Sequence, residues 1–302
     1  MKRSVKRLLV IVGPTAVGKT AVSIFLARKL GTEIVSADSR QLYREMRIGT
    51  ARPSEEELAA APHHFIANRS IHEEYNAARF GEEALQVIHS LFESYDTVIM
   101  CGGSGLYVKA VCEGFDEIPD VPEEVREELN EGFKNHGLEW LQEKMQRLDP
   151  DHYKDIDQQN PIRLIRALEV RISTGMSIRS FQTKQKRAHA FTIVKIGLEL
   201  ERDELYRRID ARMDRMIEEG LFEEAQSLYP FRDHNALQTV GYREVFDYME
   251  GKYDKEETIR LLKRNTRRYA KRQLTWFKKD ESINWFNAFD LEKVENFVLG
   301  KS

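Results

Sequence analysis

Apolar residues near the N-terminus form short continuous runs separated by helix-like patterns. Residues 8–12 predict a buried strand, and residues 21–30 predict a helix that Gly31 ends. Residues 33–37 and 97–101 predict two further strands. Strands that alternate with helices favour an α/β fold, here a P-loop NTPase-like core with a mostly parallel sheet flanked by helices.

From about residue 116 the pattern becomes helical without strands. Apolar residues three or four positions apart predict two amphipathic helices, over residues 125–133 and 138–148. The pair Asn160-Pro161 predicts the start of another helix, and Gly175 predicts its end. Alternation over residues 194–200 then predicts a strand. We therefore interpret residues 116–195 as an all-helical insertion domain in a core formed by residues 1–115 and 196–302.

A long helix with a basic face is predicted near the C-terminus. Asp254 and Glu257 have the spacing of a capping box at its start. Its basic residues recur every three or four positions with no acid between them: Arg260, Lys263, Arg264, Arg267, Arg268, Lys271 and Arg272. Leu262, Tyr269 and Trp276 predict another face that packs inward.

Charge along the 302 residues is unevenly distributed. The net charge is −3, yet residues 260–279 contain nine basic residues and no acid, so the remainder carries −12. Cys101 and Cys112 are the only cysteines and offer no disulfide framework. No apolar stretch is long enough to cross a membrane. These features predict a cytoplasmic protein with a polyanionic partner.

The segment between the first strand and the first helix reads GPTAVGKT and matches the phosphate-binding P-loop, G-x-x-x-x-G-K-[ST]. Its residues are Gly13, Pro14, Thr15, Ala16, Val17, Gly18, Lys19 and Thr20. Such a loop aims backbone N–H groups at an anion, to which Lys19 adds a positive charge. The Thr20 hydroxyl can hold Mg²⁺. The motif alone does not decide whether the phosphates belong to ATP.

Three polar residues are candidates for chemistry near this loop. Asp38 and Ser104 follow predicted strands, whose carboxyl ends should meet at one edge of the sheet. Asp38 either caps a turn, holds Mg²⁺, or takes a proton from a bound nucleophile. On the helix predicted over residues 203–219, Arg212 lies beside the apolar stripe and should point inward. It is either an internally paired arginine or one that reaches the phosphates.

A second basic cluster lies in the helical insertion and is opposed only by Glu169. It contains Arg163, Arg166, Arg171, Arg179, Lys184, Lys186 and Arg187. A charge run is often a solvated face, but two unneutralised clusters favour contact with nucleic acid.

Six motifs follow one another over most of the chain. They are GPTAVGKT (13–20), SADSRQLYREMRIGTARP (36–53), GGSGLYVKAV (102–111), NPIRLIRALEV (160–170), TVGYRE (239–244) and KRQLTWF (271–277). Together they resemble the tRNA dimethylallyltransferases of bacterial type, also called tRNA isopentenyltransferases. Ser104 departs from the family, which often has Thr at that position.

The resemblance implies transfer of a dimethylallyl group from its diphosphate to N6 of the adenosine on the 3′ side of the anticodon. It implies that the P-loop binds the diphosphate with Mg²⁺ at Thr20. Asp38 would be the general base, assisted by Lys19, Arg212 and Ser104. Positions matching tRNA-contacting segments are Asp38, Ser39, Arg40, Gln41, Ser104, Arg126, Ile162, Arg163, Leu164, Ile165, Arg166, Gln238, Thr239, Val240, Gly241, Tyr242, Arg243, Lys271, Arg272 and Gln273. The partners would be the tRNA anticodon stem-loop and dimethylallyl diphosphate. From the sequence itself we expect no membrane partner, and we expect a monomer because nothing in it argues for an oligomer.

Two other functions fit part of the sequence. A P-loop kinase of a nucleotide or small metabolite would also use the loop and Asp38, with the insertion as a lid. The basic helix argues against it, because a small substrate does not need such a surface. A non-catalytic RNA-binding protein gated by a nucleotide is the third interpretation.

Overall fold

The computed structural model describes residues 5–183 and 185–301 and divides into two compact units. One unit contains the residues up to 114 and from 188 onwards, and the other contains residues 115–187. The return boundary therefore precedes the position predicted from the sequence. Residues 188–195 join the first unit because Phe191 is buried in its core and a strand begins at Thr192.

The first unit is built on one sheet whose strands all pair in parallel. Its strands are β1 (Arg7–Val12), β2 (Ile34–Ser36), β3 (His63–His64), β4 (Thr97–Gly102), β5 (Thr192–Glu199) and β6 (Ile283–Asn287). They lie in the order β3-β2-β4-β1-β5-β6. The α/β fold with a parallel sheet is confirmed.

Helices cover both faces of this sheet, which explains the continuous apolar runs of its central strands. In β1, Leu8 and Val10 belong to one buried cluster and Leu9 and Ile11 to the other. The helices in chain order are α1 (Lys19–Leu30), α2 (Glu55–Ala60), α3 (Ala77–Ser94), α4 (Gly105–Cys112), α5 (Glu123–Leu148), α6 (Pro150–Tyr153), α7 (Pro161–Thr174), α8 (Arg202–Glu218), α9 (Leu221–Leu228), α10 (Tyr242–Met249), α11 (Lys255–Phe277) and α12 (Leu291–Leu299).

The second unit packs α5, α6 and α7 around its own apolar core. Helix α5 is interrupted at Gly137, with a φ of 77°, so the two helices predicted there are confirmed as two segments of one element. The Asn160 side chain accepts from the Arg163 N–H at the start of α7, and Gly175 ends the helix in the left-handed conformation. Both predicted helix boundaries are confirmed.

Helix α11 differs from its predicted form at both ends. Asp254 accepts from the Glu257 N–H as expected, but the Glu257 carboxylate binds Arg260. Leu262 is fully buried, whereas Trp276 packs its indole on Gly105 of α4 and remains 42% exposed, so the inward prediction holds only in part for Trp276. No helix within the described residues combines the length and apolarity that crossing a bilayer requires.

Candidate functional site

The predicted P-loop forms a tight turn between β1 and α1. Ala16 and Gly18 adopt φ values of 65° and 113°. A Cβ atom on Gly13 would lie 2.6 Å from the Leu198 carbonyl oxygen, so this position requires glycine. Because α1 begins at Lys19, the free N–H groups of its first turn lie at the loop, where they favour an anion.

A cleft of about 700 Å³ lies beside this loop within the first unit. Most of its lining comes from the P-loop, the turn after β2, helix α8 and the segment before α10. The lining includes Thr15, Ala16, Gly18, Lys19, Thr20, Asp38, Arg40, Gln41, Arg208, Arg212, Arg215, Thr239, Val240, Gly241, Tyr269 and Gln273. The other three P-loop residues, Gly13, Pro14 and Val17, are buried and shape the loop.

Lys19 is held against the backbone of its own loop. Its Nζ donates to the carbonyl oxygens of Gly13 at 3.0 Å and Pro14 at 2.8 Å. Burial lowers the pKa of Lys19 to about 8, and the nearby Arg212 charge acts in the same direction. The charge of Asp38 opposes the shift. Burial removes the water that would solvate the Lys19 ammonium. An anion bound in the cleft would stabilise the charged form instead.

Asp38 sits in the turn that follows β2. Its Oδ1 accepts from the N–H groups of Arg40 at 2.9 Å and Gln41 at 3.3 Å. Because both bonds use Oδ1, the turn can form while Oδ2 accepts a proton or a ligand. The turn-capping role is therefore present and is compatible with a chemical role.

Ser104 joins the loop after β4 to this turn. Its hydroxyl accepts from the Ser39 N–H at 2.9 Å and donates to the Ser39 Oγ at 3.1 Å. The Ser104 N–H donates to the Ala37 carbonyl oxygen. Ser104 thus holds the Asp38 turn, and its contact with a substrate stays a prediction.

Helix α8 presents arginines to the cleft. Arg212 lines it, as its inward position in the sequence predicted. Burial lowers the pKa of Arg212, and the charge of Asp38 acts against that shift. Arg208 was missed by the sequence analysis, although it lies one helical turn before Arg212 on the same face. Its Nε donates to the Ala16 carbonyl oxygen at 2.9 Å, which fixes α8 against the P-loop.

The two other turn residues predicted to touch RNA make local bonds. Arg40 Nη1 donates to the Asn235 carbonyl oxygen at 3.0 Å. Gln41 Nε2 donates to the carbonyl oxygens of Ala51 at 2.9 Å and Thr50 at 3.2 Å. Both side chains also line the cleft, so their hydrogen bonds connect the cleft wall to the neighbouring loops.

The segment from Gln238 to Arg243 divides into cleft, core and surface positions. Thr239, Val240 and Gly241 line the cleft, and Arg243 is exposed. Gln238 Nε2 donates to the Arg232 carbonyl oxygen. Tyr242 is fully buried and its hydroxyl donates to Glu224 Oε1 at 2.6 Å. The predicted RNA contact is therefore not available to the Tyr242 side chain, because it fills the core.

Glu224 on α9 was also missed by the sequence analysis. Its carboxylate accepts from the N–H groups of Arg47 at 3.1 Å, Ile48 at 2.8 Å and Gly49 at 2.9 Å. Together with Tyr242, Glu224 anchors the loop that brings Gly49 to the cleft wall. These partners lie far apart in the chain, so no local pattern reveals them.

The helical unit uses part of its basic cluster internally. Arg126 and Arg166 both bind Glu169, at 2.8 Å and 3.2 Å, and Glu169 is only 2% exposed. Leu164 and Ile165 are buried in the unit's core, so within the predicted tRNA-contacting segment their side chains serve packing. Ile162 is 78% exposed and Arg163 is also exposed. Lys184 of this cluster lies outside the described residues.

The basic face of α11 is partly neutralised by acids that are distant in sequence. Lys263 binds Asp214 and Arg267 binds Asp210, both at 2.6 Å and both to α8. The expectation of a wholly unneutralised face was therefore wrong. Arg268, Lys271 and Arg272 are exposed. Gln273 is 7% exposed, lines the cleft and bonds to the P-loop, and its contact with RNA stays a prediction.

Known proteins resemble this chain over nearly its whole length. Residues 41–280 match the family model described as IPP transferase. A tRNA dimethylallyltransferase of Cytophaga hutchinsonii is 49% identical over 98% of this chain and 97% of its own. One from Christiangramia forsetii is 50% identical over 92% of each chain.

Two solved structures share the architecture. The full-length tRNA isopentenylpyrophosphate transferase of Bacillus halodurans has a TM-score of 0.72 and 41% identity, and the match covers 98% of this chain and 96% of that one. A eukaryotic dimethylallyltransferase acting on tRNA has a TM-score of 0.78 at 24% identity, with 98% and 80% covered, and supports the fold alone. The extent of these matches, together with the P-loop cleft, establishes that the chain belongs to the IPP transferase family.

Proposed function

We propose that this chain is a tRNA dimethylallyltransferase. It transfers the dimethylallyl group of dimethylallyl diphosphate to N6 of the adenosine on the 3′ side of the anticodon. The observation that carries the proposal is a single cleft in which the P-loop, Lys19 and Arg212 share the lining with Asp38. The names of relatives that are about half identical over nearly the full length support it.

The cleft is suited to stabilising a diphosphate leaving group. When the donor's carbon–oxygen bond breaks, the electron pair stays with the diphosphate, whose charge must be neutralised. The N–H groups at the start of α1, the Lys19 ammonium and the Arg212 guanidinium supply positive charge there. The allylic carbon delocalises its own positive charge, so bond breaking runs ahead of bond formation.

Asp38 acts on the adenosine that accepts the dimethylallyl group. The lone pair of adenine N6 is delocalised into the ring, which makes the amine a weak nucleophile. As the carbon–nitrogen bond forms, N6 becomes acidic and its proton passes to the Asp38 carboxylate. The base must leave its stack to enter the cleft, and an anticodon loop permits this more cheaply than a duplex does.

The donor atoms in the cleft fit Mg²⁺. Proteins usually hold Mg²⁺ through one or two oxygen ligands, while substrate phosphates and water complete its shell. The Thr20 hydroxyl lines the cleft and would supply such an oxygen. Within residues 5–183 and 185–301, no three or more His, Cys, Asp or Glu side chains group as a metal site. Bound Mg²⁺ would neutralise part of the diphosphate charge.

Exposed groups on both units are available to the tRNA anticodon stem-loop. Arg268, Lys271 and Arg272 lie on α11, and Ile162 lies on the helical unit, as does Arg163, which is exposed but paired with Asp157 at 3.5 Å. Cations at such positions neutralise phosphates, and an apolar side chain offers a surface for an unstacked base. A cytoplasmic location and a monomeric state are part of the same proposal.

The function is tested with unmodified tRNA, dimethylallyl diphosphate and Mg²⁺. We expect mass spectrometry of the digested tRNA to show one adenosine replaced by its dimethylallyl derivative. Digestion with a base-specific ribonuclease places it next to the anticodon. Phosphorylation of a nucleotide or metabolite by ATP, without a prenylated nucleoside, would establish a kinase instead. Binding of tRNA without either product would leave an RNA-binding protein.

Donor affinity should fall as the pH rises through the pKa of Lys19, which is about 8. Below that pH the free protein already carries the ammonium; above it, binding must first take up a proton. Affinity is therefore retained at lower pH and weakens up to about tenfold per pH unit above that pKa. Calorimetry with a non-reactive alkyl diphosphate in buffers of different ionisation enthalpy measures both affinity and proton uptake. Lys19→Met should bind weakly with no such pH dependence; an identical profile in that variant would contradict the assignment.

Two adjacent arginines of α11 should respond differently to replacement. Arg268 is exposed, whereas Arg267 is bound to Asp210. Arg268→Met should weaken tRNA binding and flatten its salt dependence by about 0.7–0.9 in slope for each phosphate that it no longer neutralises. Arg267→Met should mainly lower Tm, because Asp210 loses its partner. Equilibrium binding across a salt series, with thermal unfolding, separates the two. An unchanged slope for Arg268→Met would identify a solvated face.

A further inference from the structure

Gln273 occupies an unusual position on the basic helix α11. Its neighbours Lys271 and Arg272 are exposed, whereas Gln273 is 7% exposed and points into the first unit. A glutamine is seldom buried unless its amide is fully hydrogen-bonded, because an unpaired buried amide is costly. The bonds that it makes therefore define what it does.

The carboxamide of Gln273 connects two loops. Its Oε1 accepts from the Thr15 N–H at 2.8 Å, and its Nε2 donates to the Gly103 carbonyl oxygen at 2.9 Å. The opposite amide orientation would place a donor against the Thr15 N–H and an acceptor against the Gly103 oxygen. The partners thus determine the orientation.

The Gln273 side chain packs closely against the backbone of Gly103. A Cβ atom added to Gly103 would collide with Gln273 Nε2. Gly103 has no positive φ, so the close packing of the glutamine, not backbone conformation, is what a larger residue would disturb. The space between α11 and this loop is shaped around the amide.

The two loops carry the two halves of the proposed reaction. Thr15 belongs to the P-loop, where the diphosphate would bind. Gly103 immediately precedes Ser104, whose hydroxyl holds the Ser39 N–H beside Asp38. One side chain therefore links the leaving-group site to the turn that carries the base.

We propose that Gln273 is a positioning residue that fixes the distance between the diphosphate site and the Asp38 turn, and that it is not an RNA contact. The proposal rests on the proposed function. Because the Thr15 N–H already donates to Gln273, this one N–H group is not available to the diphosphate. A displacement of about 1 Å between reacting groups is enough to cost about 100-fold in rate.

Three variants test the proposal. Gln273→Met keeps the length and removes both hydrogen bonds. Gln273→Glu keeps an acceptor for Thr15 but sets a carboxylate oxygen against the Gly103 oxygen and beside the P-loop. Lys271→Met, on the exposed face of the same helix, serves as the matched comparison. For each we would measure kcat, the KM of the donor, the tRNA Kd with its salt slope, and Tm.

For Gln273→Met we expect kcat/KM for the donor to fall about 10–100-fold, with the tRNA Kd and salt slope near wild type. Gln273→Glu should raise the donor KM further, because its charge repels the diphosphate. Lys271→Met should show the reverse pattern, with weaker tRNA binding and an unchanged donor KM. Weaker tRNA binding with an intact donor KM in Gln273→Met would overturn the proposal, as would a lower Tm with unchanged kinetics.

The wild-type protein separates this proposal from the proposed function. If the wild type does not prenylate tRNA, the proposed function fails. Affinity for a non-reactive alkyl diphosphate, measured by calorimetry on the same variants, then reports on Gln273 alone. Loss of that affinity in Gln273→Met, but not in Lys271→Met, supports the link to the P-loop, and equal affinities refute it.

Discussion

Asp38→Asn is expected to lower kcat about 10²–10⁴-fold while tRNA affinity stays near that of the wild type. Asparagine keeps an oxygen that can accept the N–H groups of Arg40 and Gln41, so the turn should persist. The variant removes the negative charge and the proton acceptor. Single-turnover rates at saturating tRNA and donor measure the bond-forming step directly.

A shift in pH dependence provides a second signature of the same variant. The charge of Asp38 raises the pKa of Lys19, so its removal should move that pKa below about 8. Donor affinity should then begin to weaken at a lower pH than in the wild type. Asp247→Asn is a suitable control, because Asp247 pairs with Lys252 on the surface. Reduced tRNA affinity with an intact bond-forming rate would make Asp38 an RNA contact only.

Features set by neighbouring residues could be predicted from the sequence. The apolar run of β1, the GPTAVGKT loop and the C-terminal glycine of α1 lie within 25 residues of each other. A parallel sheet brings the carboxyl ends of its strands to one edge, which explains why Asp38 and the P-loop meet. The inward direction of Arg212 follows from helical periodicity alone.

Contacts between residues that lie far apart in the chain could not be predicted from the sequence. A basic helix face carries no sign that Asp210 and Asp214 of another helix will neutralise it. Buried positions inside a motif are equally hidden. Tyr242 packs against the loop at Gly49, while Leu164 fills the core of the helical unit. A family motif therefore marks a segment, and packing decides which side chains can reach a ligand.

The role of Arg208 also could not be predicted from helical periodicity. It lies on the same face of α8 as Arg212, yet it is bound to the Ala16 carbonyl oxygen. That bond holds α8 against the P-loop and so helps to place Arg212 beside the phosphate-binding loop. Two arginines one turn apart thus have different chemical surroundings, and burial lowers the pKa of Arg212.

Replacing Arg212 should give the second large effect. Arg212→Met is expected to lower kcat about 10²–10³-fold, because it removes a guanidinium that stabilises charge on the departing diphosphate. Arg202→Met is the matched control on α8, since Arg202 is exposed and stacks on Tyr206. Single-turnover rates with two donors that differ in leaving-group acidity measure the effect. The loss should be smaller for the more acidic leaving group, which needs less stabilisation.

The direction of the accompanying pH shift separates this variant from Asp38→Asn. The charge of Arg212 lowers the pKa of Lys19, so its removal should raise that pKa above about 8. Donor binding should then hold to a higher pH in Arg212→Met, opposite to the change in Asp38→Asn. Loss of rate without this upward shift would mean that the methionine disturbs α8 rather than the charge in the cleft. Opposite shifts from the two variants would show that Lys19, Asp38 and Arg212 share one electrostatic site. The pKa of Lys19 would then report on the charges of Asp38 and Arg212.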